Sequence, residues 1–242
     1  MLLKYLPPVL LFFIFLLSCE TNKNPAGSLN EEHFEIILYG RLSSSAVSDI
    51  SRELEENYQR ILDDLQVSDM PQTDVKIWAD YNDFLDAMEN DTGTRYTGAT
   101  GYIYGMTECR IYYTQQAPLT AVHEFAHLVS MQVNSTIPNN PRWLWEAATL
   151  YVTNDFTDPR TLPYMVSGNY PSLSELNTDY NSSGHQIYSV GYVLLEYIVD
   201  TWGMDSVIRL IETNGNIPLV LGITVHEFES GWHQFVEETY LN

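Results

Sequence analysis

Between Pro118 and Met131 the chain is mostly apolar, yet it carries three ionisable groups in one stretch, His123-Glu124-Phe125-Ala126-His127. Pro118 stands where a helix can begin, and Leu119 to Met131 is helical in composition. Residues four apart on a helix share a face, so the two imidazoles lie one turn apart and can take neighbouring corners of a zinc tetrahedron. Glu124 lies about 100° round the same helix, beside such a metal rather than on it, where it can reach a bound water. Leu119, Val122, Leu128 and Val129 suit burial of the other face. A buried helix with two histidines and a glutamate is costly unless a metal or hydrogen bonds satisfy them. Structural histidines with hydrogen-bond partners would meet the same requirement.

A catalytic zinc needs a third protein donor and an open fourth position. The best candidate is Glu146, nineteen positions after His127, in Pro141-Arg142-Trp143-Leu144-Trp145-Glu146-Ala147-Ala148. Arg142 to Val152 reads as the next helix, and small Ala147 and Ala148 would let it approach the first. A lone Glu near a helix start more often complements the helix dipole; here the spacing and the aromatic setting favour a ligand.

The rest of the chain places this pair of helices. Glu32 to Tyr39 suits a buried strand, and Asp74 to Ala79 a second. Between them Val47, Ile50, Leu54, Tyr58, Ile61, Leu62 and Leu65 recur at three- and four-residue spacing, an amphipathic helix with an acidic outer face. Tyr81 to Glu89 reads as a short helix, the Gly-rich stretch Gly98 to Gly105 as β-prone, and Arg110 to Tyr113 as a strand. After a polar loop from about Asn154 to Gly184, helices are expected over Gln186 to Trp202, Asp205 to Thr213 and Val225 to Tyr240. The expected class is α+β: an N-terminal mixed sheet with helices, then a mainly helical lobe, with the His123 helix between them.

Net charge is −21, from 32 acidic residues against 11 Lys and Arg. Phosphate contacts need clustered cations, so nucleic-acid binding is excluded. Lys4 followed by the apolar run Val9 to Leu17 fits a secretory signal and is too short to span a bilayer. Leu16-Leu17-Ser18-Cys19 resembles the lipobox of bacterial lipoproteins, in which the cysteine is lipidated. The expected organisation is a lipoprotein signal peptide over residues 1–18, lipidated Cys19 with a polar tether over 19–31, and one domain over 32–242. The chain would then be exported and membrane-anchored, on the periplasmic or cell-surface face. Lipidation would consume Cys19 and leave Cys109 as a small core or strand residue; a Cys19–Cys109 disulfide is the alternative.

The stretches TAVHEFAHL, PRWLWEAATLYV, YPSLSEL, IYSVGYVLLEYIVDTWG and LGITVHEFESGWHQF resemble the gluzincins, the thermolysin-related zinc metallopeptidases of the peptidase-MA-like group. They span roughly residues 75 to 240, and the first two are the specific ones. The resemblance implies a zincin-like fold, one zinc per chain held by His123, His127 and Glu146, and Glu124 as the general base for hydrolysis of a peptide or protein. Two departures stand out: Ala147 follows the third ligand where Gly is common, and Leu150 stands where thermolysin has a carboxylate. The group that orients the histidines is therefore open. Tyr188 matches a Tyr that precedes the long helix in these families and is the first choice for stabilising the oxyanion, with His185 as the alternative. The Gly-rich stretch falls where such enzymes place an edge strand above the zinc, so Gly101 and Tyr102 are candidate substrate-binding residues; an ordinary hairpin is the other reading. Other functions compatible with the motifs are a zinc amidohydrolase acting on cell-envelope material and a catalytically silent binding lipoprotein. The oligomeric state is not readable from the sequence.

Overall fold

The structure, a computed structural model, describes residues 24–178 and 186–242. The expected signal peptide, the Cys19 lipidation site and His185 lie outside the described residues. Five strands, Pro25–Asn30 (β1), Phe34–Tyr39 (β2), Thr73–Trp78 (β3), Gly101–Tyr104 (β4) and Glu108–Tyr112 (β5), form one mixed sheet in the order β1-β2-β3-β5-β4. The β2–β3 and β3–β5 pairs are parallel, whereas the outer pairs β1–β2 and β4–β5 are antiparallel. The class is α+β, as the change of periodicity along the chain predicted.

β1 corrects the tether reading of residues 19–31. Its side chains are mostly exposed, so no apolar alternation marks it in the sequence. It is a strand because its backbone pairs with β2, and an edge position asks for little more.

Alternation along the inner strands assigns the two faces. Phe34, Ile36, Leu38, Val75, Ile77, Cys109 and Ile111 are buried on one of them. This face is covered by helices Ser48–Asp64 (α1) and Ala117–Val133 (α3), with Phe34 edge-on to Phe125 at 5.0 Å. On the other face Tyr81–Thr92 (α2) sets Phe84, Leu85 and Met88 against Trp78, Tyr39, Tyr102 and Tyr112. Asp80 caps α2 by accepting from the amides of Asn82 and Asp83, and Gly93, at φ 76°, ends it.

The second half is helical. Arg142–Val152 (α4), Ile187–Trp202 (α7), Met204–Glu212 (α8), Ile217–Leu221 (α9) and Val225–Val236 (α10) pack on the far side of α3 or on one another. The region expected to be a polar loop holds two short helices, Pro163–Val166 (α5) and Leu173–Leu176 (α6). α4 and α7 cross closely, because a Cβ on Gly191 would stand 2.6 Å from Leu150 Cδ1 and 3.1 Å from Ala147 Cα. The small Ala147 is therefore used at the α7 crossing.

Candidate metal centre

α3 and α4 bring three donors to one point. His123 and His127 set their rings at 90° with centroids 4.7 Å apart. From α4, Glu146 places Oε2 at 3.4 Å from His123 Nε2 and at 3.4 Å from His127 Nε2. One donor atom from each residue lies within 4.8 Å of the other two, close enough to hold a metal ion. Donors bound at ~2.0–2.1 Å to a tetrahedral ion stand about 3.4 Å apart, so the two Glu146–histidine separations are compatible with a ligand set. They are also long for an N–H···O hydrogen bond. Accordingly Glu146 is only 1% exposed and its Oε2 has no hydrogen-bond partner among the described residues. At this atom the charge is met only by the two imidazoles, and a cation between the three donors would meet it more closely.

The other atoms of the donor residues are held. His127 Nδ1 lies 2.9 Å from Thr149 Oγ1, one turn beyond Glu146 on α4. The His127 ring rests on Trp145 with centroids 3.9 Å apart. Trp145 Nε1 donates to Ser130 Oγ, which donates to the His127 carbonyl. Tyr188, at the start of α7, donates its hydroxyl to Glu146 Oε1 at 3.0 Å. Arg142, only 3% exposed, places its guanidinium 5.6 Å from the Tyr188 ring and donates to the Thr178 carbonyl.

Glu124 occupies the gap between α3 and β4. A Cβ on Gly101 would stand 2.6 Å from Glu124 Oε1 and 2.6 Å from Thr120 Cγ2, so the carboxylate lies directly on the Gly101 backbone. β4 is the last strand of the sheet. The Tyr112 amide donates to the Thr100 carbonyl, which by alternation turns the N–H and C=O groups of Gly101 and Ile103 away from β5 along the free edge.

Burial sets the protonation states. It pushes the Glu124 carboxyl up to about 7; His123 opposes this and Glu146 adds to it. Burial also works to raise Glu146, but the imidazoles of His127 and His123 outweigh it and hold that carboxyl well below the usual carboxylate range. His127 is pushed down by burial, more than Glu146 draws it up. At the more open His123 burial is outweighed by Glu146, Glu124 and Asp155, and its pKa rises. Glu146 is thus ionised and His127 neutral at neutral pH, the states in which each can donate to a metal.

His123, His127 and Glu146 converge, with Glu124, Gly101 and Tyr188 around them. Tyr102 does not join them. Its side chain points to the α2 face, where the hydroxyl donates to Asp91 at 2.8 Å and the ring meets Phe84. Neighbours on a strand face opposite ways, so Gly101 and Tyr102 cannot both turn a side chain toward α3. Cys109 is a buried free thiol on β5, its pKa raised well above the usual value by burial and by Glu124 and Glu108. Sequence reading missed Thr149, Trp145 and Arg142. The available signal was the three-residue step from Glu146 to Thr149, which puts both on one helix face.

Neither the known protein-family models nor the curated proteins contain a match to this chain.

Proposed function

We propose that this chain is a zinc metallopeptidase of the gluzincin type, built on a zincin-like arrangement of sheet and helices and exported as a lipoprotein anchored through Cys19. The observation that carries the reading is the placement of buried Glu146 Oε2 3.4 Å from the Nε2 atoms of both His123 and His127. Two imidazoles and one carboxylate suit zinc among the divalent metals, and three protein donors leave a position open for water and substrate.

A zinc ion held by His123, His127 and Glu146 would supply a Lewis acid, able to acidify a water and polarise the scissile carbonyl. Glu124 then does the proton work. Placed beside the donors against Gly101, its carboxylate would take a proton from the attacking water and return it to the leaving amine nitrogen. Tyr188 stands beside Glu146, where its hydroxyl can exchange the Oε1 contact for a developing oxyanion. The free backbone groups of Gly101 and Ile103 offer an extended peptide a strand to pair with, next to Glu124. That edge favours a peptide substrate over other amides of the cell envelope and over a silent binding role.

The test is zinc analysis of the purified protein together with digestion of a peptide library by wild type and Glu124→Gln. One zinc per chain is expected, with activity in the variant lower by about 10²–10⁴-fold. Absence of zinc, or equal activity in the two proteins, would overturn the reading. Fatty-acid labelling that survives Cys19→Ser would remove the anchor.

A further inference from the structure

Holding His127 ready for a cation takes two separate constraints. The ring must keep its plane, and it must also keep the one of two half-turn-related poses that points Nε2, rather than a carbon, at Glu146 Oε2. Trp145, its ring tilted 34° to the imidazole with centroids 3.9 Å apart, packs against the flat side of the ring and restricts its plane. Such ring packing is nearly indifferent to a half-turn about Cβ–Cγ, because the ring presents the same flat surface either way. What distinguishes the two poses is a polar contact at Nδ1, and Thr149 Oγ1 supplies it at 2.9 Å. Thr149 is fully buried and the His127 side chain is 4% exposed, so water does not compete for that nitrogen.

We propose that Thr149 is the positioning residue of the metal centre, a neutral hydroxyl that fixes His127 in its ligating pose. The inference rests on the metal-site reading above. When Nε2 gives its lone pair to a cation, Nδ1 carries the ring proton, and Oγ1 accepts it. Because Glu146 and Thr149 are three residues apart, one face of α4 delivers a ligand and also orients a ligand of α3. The alternation WEAAT thus holds the ring platform, the carboxylate and the orienting hydroxyl within five residues, Trp145 to Thr149.

The experiment compares Thr149→Ser, Thr149→Ala and Thr149→Val in the full domain, measuring zinc affinity by chelator competition and the His127 ring-nitrogen NMR signals of the zinc-free protein. Serine keeps the oxygen and should bind zinc within about 3-fold of wild type, whereas alanine and valine should bind about 10–100-fold more weakly. The Nδ1 signal should coincide in wild type and Thr149→Ser and be displaced in Thr149→Ala. If valine prevents folding, the serine and alanine variants, which differ by one oxygen, carry the comparison alone. Wild-type zinc affinity in Thr149→Ala, or equal weakening in alanine and serine, overturns the proposal. Should the wild type bind no zinc, the metal reading falls and the Nδ1 signal decides Thr149 by itself: an unchanged signal in Thr149→Ala refutes it.

Discussion

Gly101→Ala is the sharpest perturbation that the structure offers, because one methyl group separates two accounts of Glu124. The backbone of Gly101 lies outside the left-handed region, so alanine brings no conformational strain and the whole effect is contact. The new Cβ would stand 2.6 Å from Glu124 Oε1, 2.9 Å from Glu124 Cγ and 2.6 Å from Thr120 Cγ2, against an ordinary contact of 3.4 Å or more. Relief therefore requires a displacement of about 0.8 Å, the difference of those distances. Thr120 and Glu124 both belong to α3, which is clamped between the sheet and α4, while β4 is tied to β5 through the Thr100–Tyr112 bond. Flexible side-chain ends give way first, so the Glu124 carboxylate should retreat from the position that it shares with the donors. A catalytic group misplaced by about 1 Å costs on the order of 10²-fold in rate, and the overpacking itself costs about 1–3 kcal/mol of stability. Steady-state kinetics on a peptide substrate should show kcat down about 10²-fold with KM little changed. Zinc content and a folded thermal transition must be retained for the comparison to count. A kcat within about 2-fold of wild type would show that β4 moves instead and that Gly101 does not set the base.

Two further outcomes follow from the same groups. In zinc-free protein Glu124 is held near 7, against an ordinary 4.5, so the fold favours its protonated form; its contribution is full below pH 4.5 and is lost as pH rises through 7. Urea titrations should therefore find zinc-free Glu124→Gln more stable than wild type by about 3 kcal/mol at pH ~8 and no more stable near pH ~4.5, and parallel profiles would refute the buried-carboxyl account. Tyr188→Phe, assayed at saturating zinc, should lower kcat by about 10²-fold through loss of an oxyanion donor; an unchanged kcat would leave Tyr188 as a partner of Glu146 only.

What the sequence disclosed about this site, and what it hid, divides along energetic lines. His123, Glu124, His127 and Glu146 are conspicuous because ionisable groups on mostly apolar helices are expensive, and expense leaves a pattern. α1, with Ile50, Leu54, Tyr58, Ile61 and Leu62 on one buried stripe, was visible for the complementary reason. β1 was not, since a strand held by backbone pairing at an exposed edge needs no particular side chains. The four-residue helices α5 and α6 lie below the length at which periodicity can be seen, so they merged into a polar loop. The Tyr102 side chain turns to the α2 face because strand parity separates it from Gly101, which a pairing of neighbours in sequence does not reveal.

Thr149 is the instructive omission. A carboxylate at Leu150 was the group looked for, since charge is what stands out in an apolar helix, and position 150 is filled by a methyl group packed toward Gly191. The orienting task does not require charge. Nδ1 needs one lone pair at hydrogen-bond distance, and a hydroxyl one residue earlier supplies it from the same helix turn. A neutral partner also suits this neighbourhood better than a second acid would. Glu146 is already ionised beside His127, and Glu124 is already driven up to about 7 by burial with Glu146 adding to the rise. Another buried carboxylate would raise Glu124 further by like-charge repulsion in the metal-free protein. On the proposed reading, a hydroxyl at Thr149 would orient His127 without adding charge beside Glu124.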